Sequence, residues 1–308
     1  MTAGYDQPLY LLPFDHRHSY GQEVFGFHEP LTAEQIAIVA ASKQVIYDAY
    51  KLALKAGVPK ERSAILVDEE FGAAILRDAH EQGYNFAYPV EKSGQHEFDF
   101  QDGDQFGKHI EQFDPTFVKV LVRFNPADDP ALNKRQIERL KRVSDYCVEH
   151  DRWFMFELLV PAETKQLDKL GGDHAAYDLE VRPRLMITVI EQLQDAGIDP
   201  DIWKIEGLER REDCVAIADV ARRNGRDHVG CIVLGRGEDE KKVIEWLEVA
   251  ATVPAFIGFA VGRSTFLDPI VKYRAGELTA DAASKKIADR YREWISVFQR
   301  ARAAAMKE

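Results

Sequence analysis

Cysteine is scarce. The 308 residues hold three, Cys147, Cys214 and Cys231, each alone in its segment. That excludes a disulfide framework and a CxxC metal site, suits a reducing compartment, and leaves the three thiols as small buried hydrophobes. Long apolar runs are also lacking. The longest, such as Ala255–Val261, fall far short of the roughly 18–20 residues that span a bilayer, and the first residues, MTAGYDQPLY, show no basic stretch followed by an apolar one. A cytoplasmic chain with no membrane partner is expected. Positive charge is nowhere concentrated: 40 Lys and Arg oppose 52 Asp and Glu, for a net charge of −12, and no basic block could follow a phosphate backbone. Nucleic acid is therefore not an expected partner. No Gly/Ser/Pro-rich linker divides the chain, so residues 1–308 are expected to form a single domain.

With 45% hydrophobic and 30% charged residues, the chain has material for a sizeable core. Short apolar runs alternate with longer amphipathic stretches. The runs are Leu9–Phe14, Ala64–Val67, Phe86–Val90, Phe117–Phe124, Trp153–Val160, Ile202–Ile205, Gly230–Leu234 and Ala255–Val261. Helical periodicity falls on Ala33–Ala56, Ala131–His150, Arg184–Ala196, Arg211–Asn224, Asp239–Ala250 and a long final stretch, Ala280–Ala305; Thr32 followed by Glu34 and Gln35 is a start signal. Strands apolar on both faces, each followed by a helix, call for a parallel sheet, and about eight such units predict a (β/α)8 TIM barrel; a doubly wound sheet is the alternative. The last helix could supply an oligomer contact.

A barrel places its active site where strands end and loops begin, which makes the polar residues there informative. They are Asp15 and Arg17, then Asp68, Glu69 and Glu70, then Glu91 and Lys92, followed by Lys119, Arg123, Glu157, Lys204, Glu206, Arg236 and Arg263. Lys204 interrupts a β-run, Ile-Trp-Lys-Ile-Glu, where an ammonium group is costly to bury. Its readings are an ion-paired structural lysine, or a nucleophile whose pKa is depressed by apolar walls and neighbouring cations and which attacks a ketone to form a Schiff base. Lys119 is a second lysine in an apolar run, and two converging cations would lower each other's pKa. Glu157 is then a proton shuttle or a counter-ion, and Asp15 a proton acceptor for a substrate hydroxyl or a turn residue.

Gly235-Arg236-Gly237 and Gly262-Arg263-Ser264 follow the seventh and eighth strands, where barrels bind phosphate with loop amides, a helix N-terminus and a cation. A phosphorylated small molecule is the expected ligand. Asp68-Glu69-Glu70 offers an alternative as a divalent-metal site, but neighbouring residues on a strand face opposite ways, and a polar strand end leading into a helix suits the triplet better. His16 and His18 are candidates to touch substrate from the first loop; His28 and the remaining histidines have no zinc-site spacing.

Phe-Asp-His-Arg, Val-Asp-Glu-Glu-Phe-Gly, Glu-Leu-Leu-Val-Pro, Trp-Lys-Ile-Glu-Gly and Gly-Phe-Ala-Val-Gly-Arg-Ser occur in one order. Over about Leu9 to Arg300 the chain resembles the aldolase-like domain found fused behind 5-dehydro-2-deoxygluconokinase in myo-inositol catabolism. More distantly it is similar to class I tagatose-1,6-bisphosphate and sulfofructose-phosphate aldolases. The resemblance implies a metal- and cofactor-independent class I aldolase, with Lys204 as Schiff-base lysine, Lys119 as second active-site lysine, Glu157 as proton shuttle and Asp15 as acid/base at the scissile bond. It matches Arg263 to the phosphate-binding arginine after the last strand, which Gly262, Gly235 and Arg236 are expected to help. The expected substrate is 5-dehydro-2-deoxygluconate 6-phosphate, cleaved to dihydroxyacetone phosphate and 3-oxopropanoate, and its carboxylate needs a further cation that Arg17 or Arg123 could supply. Unlike the fused proteins, this sequence starts at the aldolase-like segment, so phosphorylation of the substrate is expected elsewhere. The alternatives are an aldolase for another ketose phosphate, a metal-dependent aldolase or isomerase built on Asp68, Glu69 and Glu70, and a non-catalytic sugar-phosphate-binding protein.

Overall fold

The computed structural model describes residues 4–307; Met1–Ala3 and Glu308, the ends of the expected single domain, lie outside the described residues. Eight parallel strands, each paired with its sequence neighbours, close into a barrel: β1 Leu9–Pro13, β2 Ser63–Leu66, β3 Asn85–Pro89, β4 Phe117–Arg123, β5 Trp153–Leu159, β6 Ile202–Glu206, β7 Gly230–Leu234 and β8 Phe256–Ala260. Closure between β8 and β1 excludes the open doubly wound sheet. The α-helices of eight residues or more are α1 Ala33–Lys55, α2 Glu69–Glu81, α3 Phe106–Phe113, α4 Pro130–Glu149, α5 Arg182–Asp195, α6 Arg211–Ala221, α7 Glu240–Ala251, α8 Arg263–Arg274 and α9 Ala280–Ala305. Among the described residues, no helix is long and apolar enough to cross a membrane.

The strands read as unbroken apolar runs because both of their faces are covered. Leu9, Leu11, Leu66, Phe117, Met155, Ile202 and Ile232 fill the barrel interior, while alternate residues such as Leu12, Val118, Phe154, Trp203 and Phe259 pack outward with the helices. Closure depends on a bare backbone at Gly258, paired with Leu9, where a Cβ would stand 1.8 Å from the Leu9 carbonyl oxygen. Tyr5 packs edge-on to Phe117 and Trp153 at ring distances of 5.2 and 5.6 Å, and Asp201 accepts the Gly4 and Phe154 amides there. These residues lie at the strand starts, so the cavity opens at the other end.

Thr32 closes a capping box on α1 with Gln35. The apolar face of α9 lies against α1 and the barrel, where Tyr291 donates to the Tyr10 carbonyl and Trp294 to Thr265. Three helices have no counterpart among the sequence expectations. One is α2, which starts directly on the acidic triplet; α3 has only eight residues, and α8 carries Pro269 inside it.

Candidate active site

Period-two alternation carries three charged side chains into the barrel. Lys119, Glu157 and Lys204 each lie two residues beyond an inward apolar residue, Phe117, Met155 and Ile202, and Glu157 is the register partner of Lys204. Lys204 Nζ stands 2.7 Å from Glu157 Oε2, and that same oxygen is 3.0 Å from Lys119 Nζ. The Lys119 ammonium also reaches Asp15 Oδ2 at 2.9 Å and Glu91 Oε1 at 2.7 Å. The four expected catalytic residues are thus one connected chain of charges.

This geometry corrects the expectation for Lys119. Burial alone would lower its pKa, but Asp15, Glu157 and Glu91 outweigh burial and raise it, so Lys119 is a held cation rather than a depressed one. It is also fully buried and does not line the cavity. Asp15 and Glu157 are both desolvated, which works upward, yet Lys119 and then Lys204 prevail and hold both carboxyls below the usual range. Glu91 goes the other way: burial outweighs Lys119 and Arg17, its pKa rises, and its Oε2 is buried without a hydrogen-bond partner.

Above this chain opens a cavity of about 490 Å³ lined by Asp15, Glu157 and Lys204 together with loop residues from several strand ends. On the β7–β8 side stand Gly235, Arg236, Gly262 and Arg263. Arg263 opens α8, in which the Thr265 and Phe266 amides both donate to the Gly262 carbonyl, and its Nη2 donates to the Arg236 carbonyl at 2.8 Å. Among the described residues no carboxylate pairs with Arg263. Two neighbouring glycines make room: a Cβ on Gly262 would meet the Pro13 oxygen at 2.5 Å, and Gly237, at φ +81°, would press on the Arg263 guanidinium.

Arg236 lines the cavity, but its charge is already engaged by Asp178 at 2.7 Å and Glu206 at 3.3 Å. It therefore brings less positive potential to the cavity than Arg263. On the β3–β4 side, Arg123 donates to the Gln95 carbonyl and has no carboxylate partner among the described residues. Arg17 is buried, donates to the Glu91 carbonyl at 2.7 Å and lies 3.7 Å from the Glu91 carboxylate. Of the histidines, only His16 lines the cavity; burial takes its pKa down to about 4, against the pull of Asp15, so its imidazole is neutral. His18 is exposed beside Glu29, and His28 lies outside the cavity.

The acidic triplet does not converge. Asp68 is the N-cap of α2, accepts the Phe71 amide and is buried against Lys43, while Glu69 faces Tyr88 and His109. The polar strand end leading into a helix is what the structure contains, and a catalytic metal built on all three residues is removed from consideration. Sequence reasoning named Glu91 and Glu206 as polar strand ends without giving either a role. Glu206 carried a usable signal, since it lies two residues beyond Lys204 and so faces the same way. The three cysteines are buried, as expected, with the thiols of Cys214 and Cys231 pushed up to about 12 by burial.

A family model described as an uncharacterized protein conserved in bacteria (DUF2090) matches residues 3–302. The chain belongs to this family. No curated protein matches it significantly. Among solved structures, this DUF2090 chain is similar to fructose-bisphosphate aldolase from Plasmodium falciparum, with 12% identity, a TM-score of 0.63, and 97% of this chain and 98% of that chain covered. A Schiff-base-forming fructose-1,6-bisphosphate aldolase matches at 12% identity and TM-score 0.55, covering 92% and 93%. An archaeal fructose 1,6-bisphosphate aldolase matches at 11% and 0.56, covering 93% and 94%. At such identities the likeness concerns the barrel fold.

Proposed function

We propose that this DUF2090 protein is a class I aldolase that cleaves a ketose phosphate through a Schiff base on Lys204. The observation that carries the reading is the Lys204–Glu157 contact of 2.7 Å at the floor of a cavity whose rim bears, at a helix N-terminus, an arginine with no carboxylate partner among the described residues. Glu157 takes a proton from Lys204, and the freed amine attacks the ketone carbon. Glu157 then protonates the carbinolamine hydroxyl, which leaves as water, and the resulting iminium is the electron sink for the breaking carbon–carbon bond. Asp15 accepts the proton of the hydroxyl on the departing aldehyde carbon. The proton that Asp15 has taken up is passed to the enamine carbon through Glu157, which restores both carboxylates, and water hydrolyses the iminium to release the ketone and return Lys204 to its ammonium form.

In this scheme Lys119 positions rather than reacts, holding Asp15 and Glu157 ionised and in place. Arg263, with the backbone at Gly235 and Gly262, anchors the phosphate so that binding energy remote from the reacting carbons orients the substrate. We assign 5-dehydro-2-deoxygluconate 6-phosphate as the substrate, cleaved to dihydroxyacetone phosphate and 3-oxopropanoate. Support for a second anionic end comes from Arg123, which has no carboxylate partner among the described residues, and from Arg17, which also lines the cavity. A tagatose- or sulfofructose-type ketose phosphate is the alternative within the same chemistry.

The test is borohydride trapping with dihydroxyacetone phosphate, with and without chelator, followed by intact-mass and peptide mapping. The expected result is a stable adduct on Lys204 that forms equally with chelator present. Tight binding of the phosphate with no adduct would instead favour a non-catalytic sugar-phosphate-binding protein.

A further inference from the structure

Outside the barrel cavity, Glu69 in the first turn of α2, Asp102 in the segment after β3, and His109 on α3 bring one ligand atom each within 4.8 Å of one another. None of the three lines the cavity, and the proposed reaction uses none of them. His109 Nδ1 stands 2.7 Å from Glu69 Oε2, and Nε2 faces Asp102 Oδ1 at 3.7 Å. Side-chain exposures of 29, 31 and 24% for His109, Glu69 and Asp102 leave the cluster open to solvent on one side, so an ion has a way in.

The charges do not balance. Two carboxylates face a single imidazole, which carries at most one positive charge, so the cluster keeps a net negative charge with both acids ionised. The Tyr88 hydroxyl donates to Glu69 Oε2 at 2.7 Å, the kind of outer contact that orients a ligating carboxylate. One imidazole nitrogen with two carboxylate oxygens suits a borderline divalent ion such as Zn²⁺ or Mn²⁺ better than Mg²⁺ or Ca²⁺, which prefer all-oxygen shells. At metal–ligand distances of about 2.0–2.2 Å the ligand atoms of a tetrahedral ion lie about 3.3 Å apart, so the set closes by side-chain movements of about 1.5 Å.

We propose that Glu69, Asp102 and His109 form a binding site for one divalent transition-metal ion, completed by water, that ties the segment after β3 to α2 and α3. The site stands apart from the chemistry but reaches the cavity wall. Gln101, adjacent to Asp102, accepts a hydrogen bond from Arg17 Nη1 at 3.2 Å, and Arg17 in turn donates to the Glu91 carbonyl. An ion held by Asp102 therefore restrains the segment that fixes Arg17.

The experiment needs no aldolase activity, so its failure and that of the proposed reaction are separate results. Chelator-treated, dialysed protein is titrated with Zn²⁺ by calorimetry and with Co²⁺ by visible absorption, with Mg²⁺ as control. The expected result is one equivalent of Zn²⁺ bound with a Kd of about 1 μM or tighter, Co²⁺ ligand-field bands, and no Mg²⁺ heat. His109→Ala and Asp102→Asn should each weaken Zn²⁺ at least about 100-fold, and Tyr88→Phe about 10-fold, while His18→Ala leaves it unchanged. Thermal melts of the metal-free variants check that each folds. Sub-stoichiometric binding by the unsubstituted protein, or full affinity retained in folded His109→Ala and Asp102→Asn, would overturn the proposal.

Discussion

Replacing Lys119 by methionine tests the organisation of the site most directly, because it keeps the volume and removes one charge from the centre of three carboxylates. Asp15, Glu91 and Glu157 all lie within 3.0 Å of the lost ammonium, and Lys119 itself is fully buried. Removing one partner of a buried ion pair costs about 3–5 kcal/mol. A second route to the magnitude is proton uptake. The variant relieves the repulsion by protonating one carboxylate, and for a group of ordinary pKa near 4.3 that costs about 4 kcal/mol at pH 7.5 but about 1 kcal/mol at pH 5. The two routes agree at neutral pH, and the second fixes the sign of the pH dependence. In the unsubstituted protein, Asp15 and Glu157 have depressed pKa values, so their contribution to stability is present above the unfolded pKa near 4 and lost as pH falls through the folded value. In Lys119→Met the carboxylates are raised instead, so the loss of stability is largest at pH 7.5 and shrinks toward pH 5. Urea denaturation at both pH values reads this out; with an m-value of about 3 kcal/mol/M the midpoint should fall by about 1 M or more at pH 7.5. Adding Glu91→Gln should restore part of it, since Glu91 is the carboxyl already closest to neutrality. A deficit under about 1 kcal/mol, or one independent of pH, would refute the view that Lys119 is the charge hub.

Asp15→Asn should lower kcat for cleavage by about 10²–10⁴-fold while the borohydride adduct on Lys204 still forms, because imine formation precedes the step Asp15 serves; loss of the adduct would contradict that assignment. Arg263→Leu removes a charged phosphate contact of about 1.5–3 kcal/mol and should raise KM by about 10–100-fold, which steady-state kinetics would show. Arg123→Leu should damage cleavage of a carboxylate-bearing ketose phosphate more than that of a neutral one, and equal losses would remove the argument for that substrate. The cysteines, buried and with thiol pKa values raised, should react with a thiol reagent at pH 8 only as the chain unfolds, a rate set by added urea rather than by reagent concentration.

The barrel was legible in the sequence because a parallel sheet covered on both faces leaves a strong trace: each strand is an apolar run, and each of the eight expected runs overlaps a strand of the closed sheet. Lys119, Glu157 and Lys204 stood out for the same reason, as charges that such a run tolerates only when they meet partners. What the sequence could not show was the count of those partners. Two lysines in apolar strands that converge on one cavity read as mutually repelling cations with depressed pKa values. Glu91 comes from the loop after β3 and Asp15 from the loop after β1, far apart in sequence yet both on the same ammonium, and their joint charge reverses the sign of the effect. Arg236 has distant partners too: its Gly-Arg-Gly setting speaks for phosphate, while Asp178, contributed by the long connection between β5 and α5, pairs with the charge. In both cases local sequence marked a residue as unusual, and long-range neighbours set its charge environment. Glu206 marks the limit of local reasoning, since its inward direction follows from its spacing to Lys204 but its engagement with Arg236 and the Val160 amide follows only from closure of the barrel.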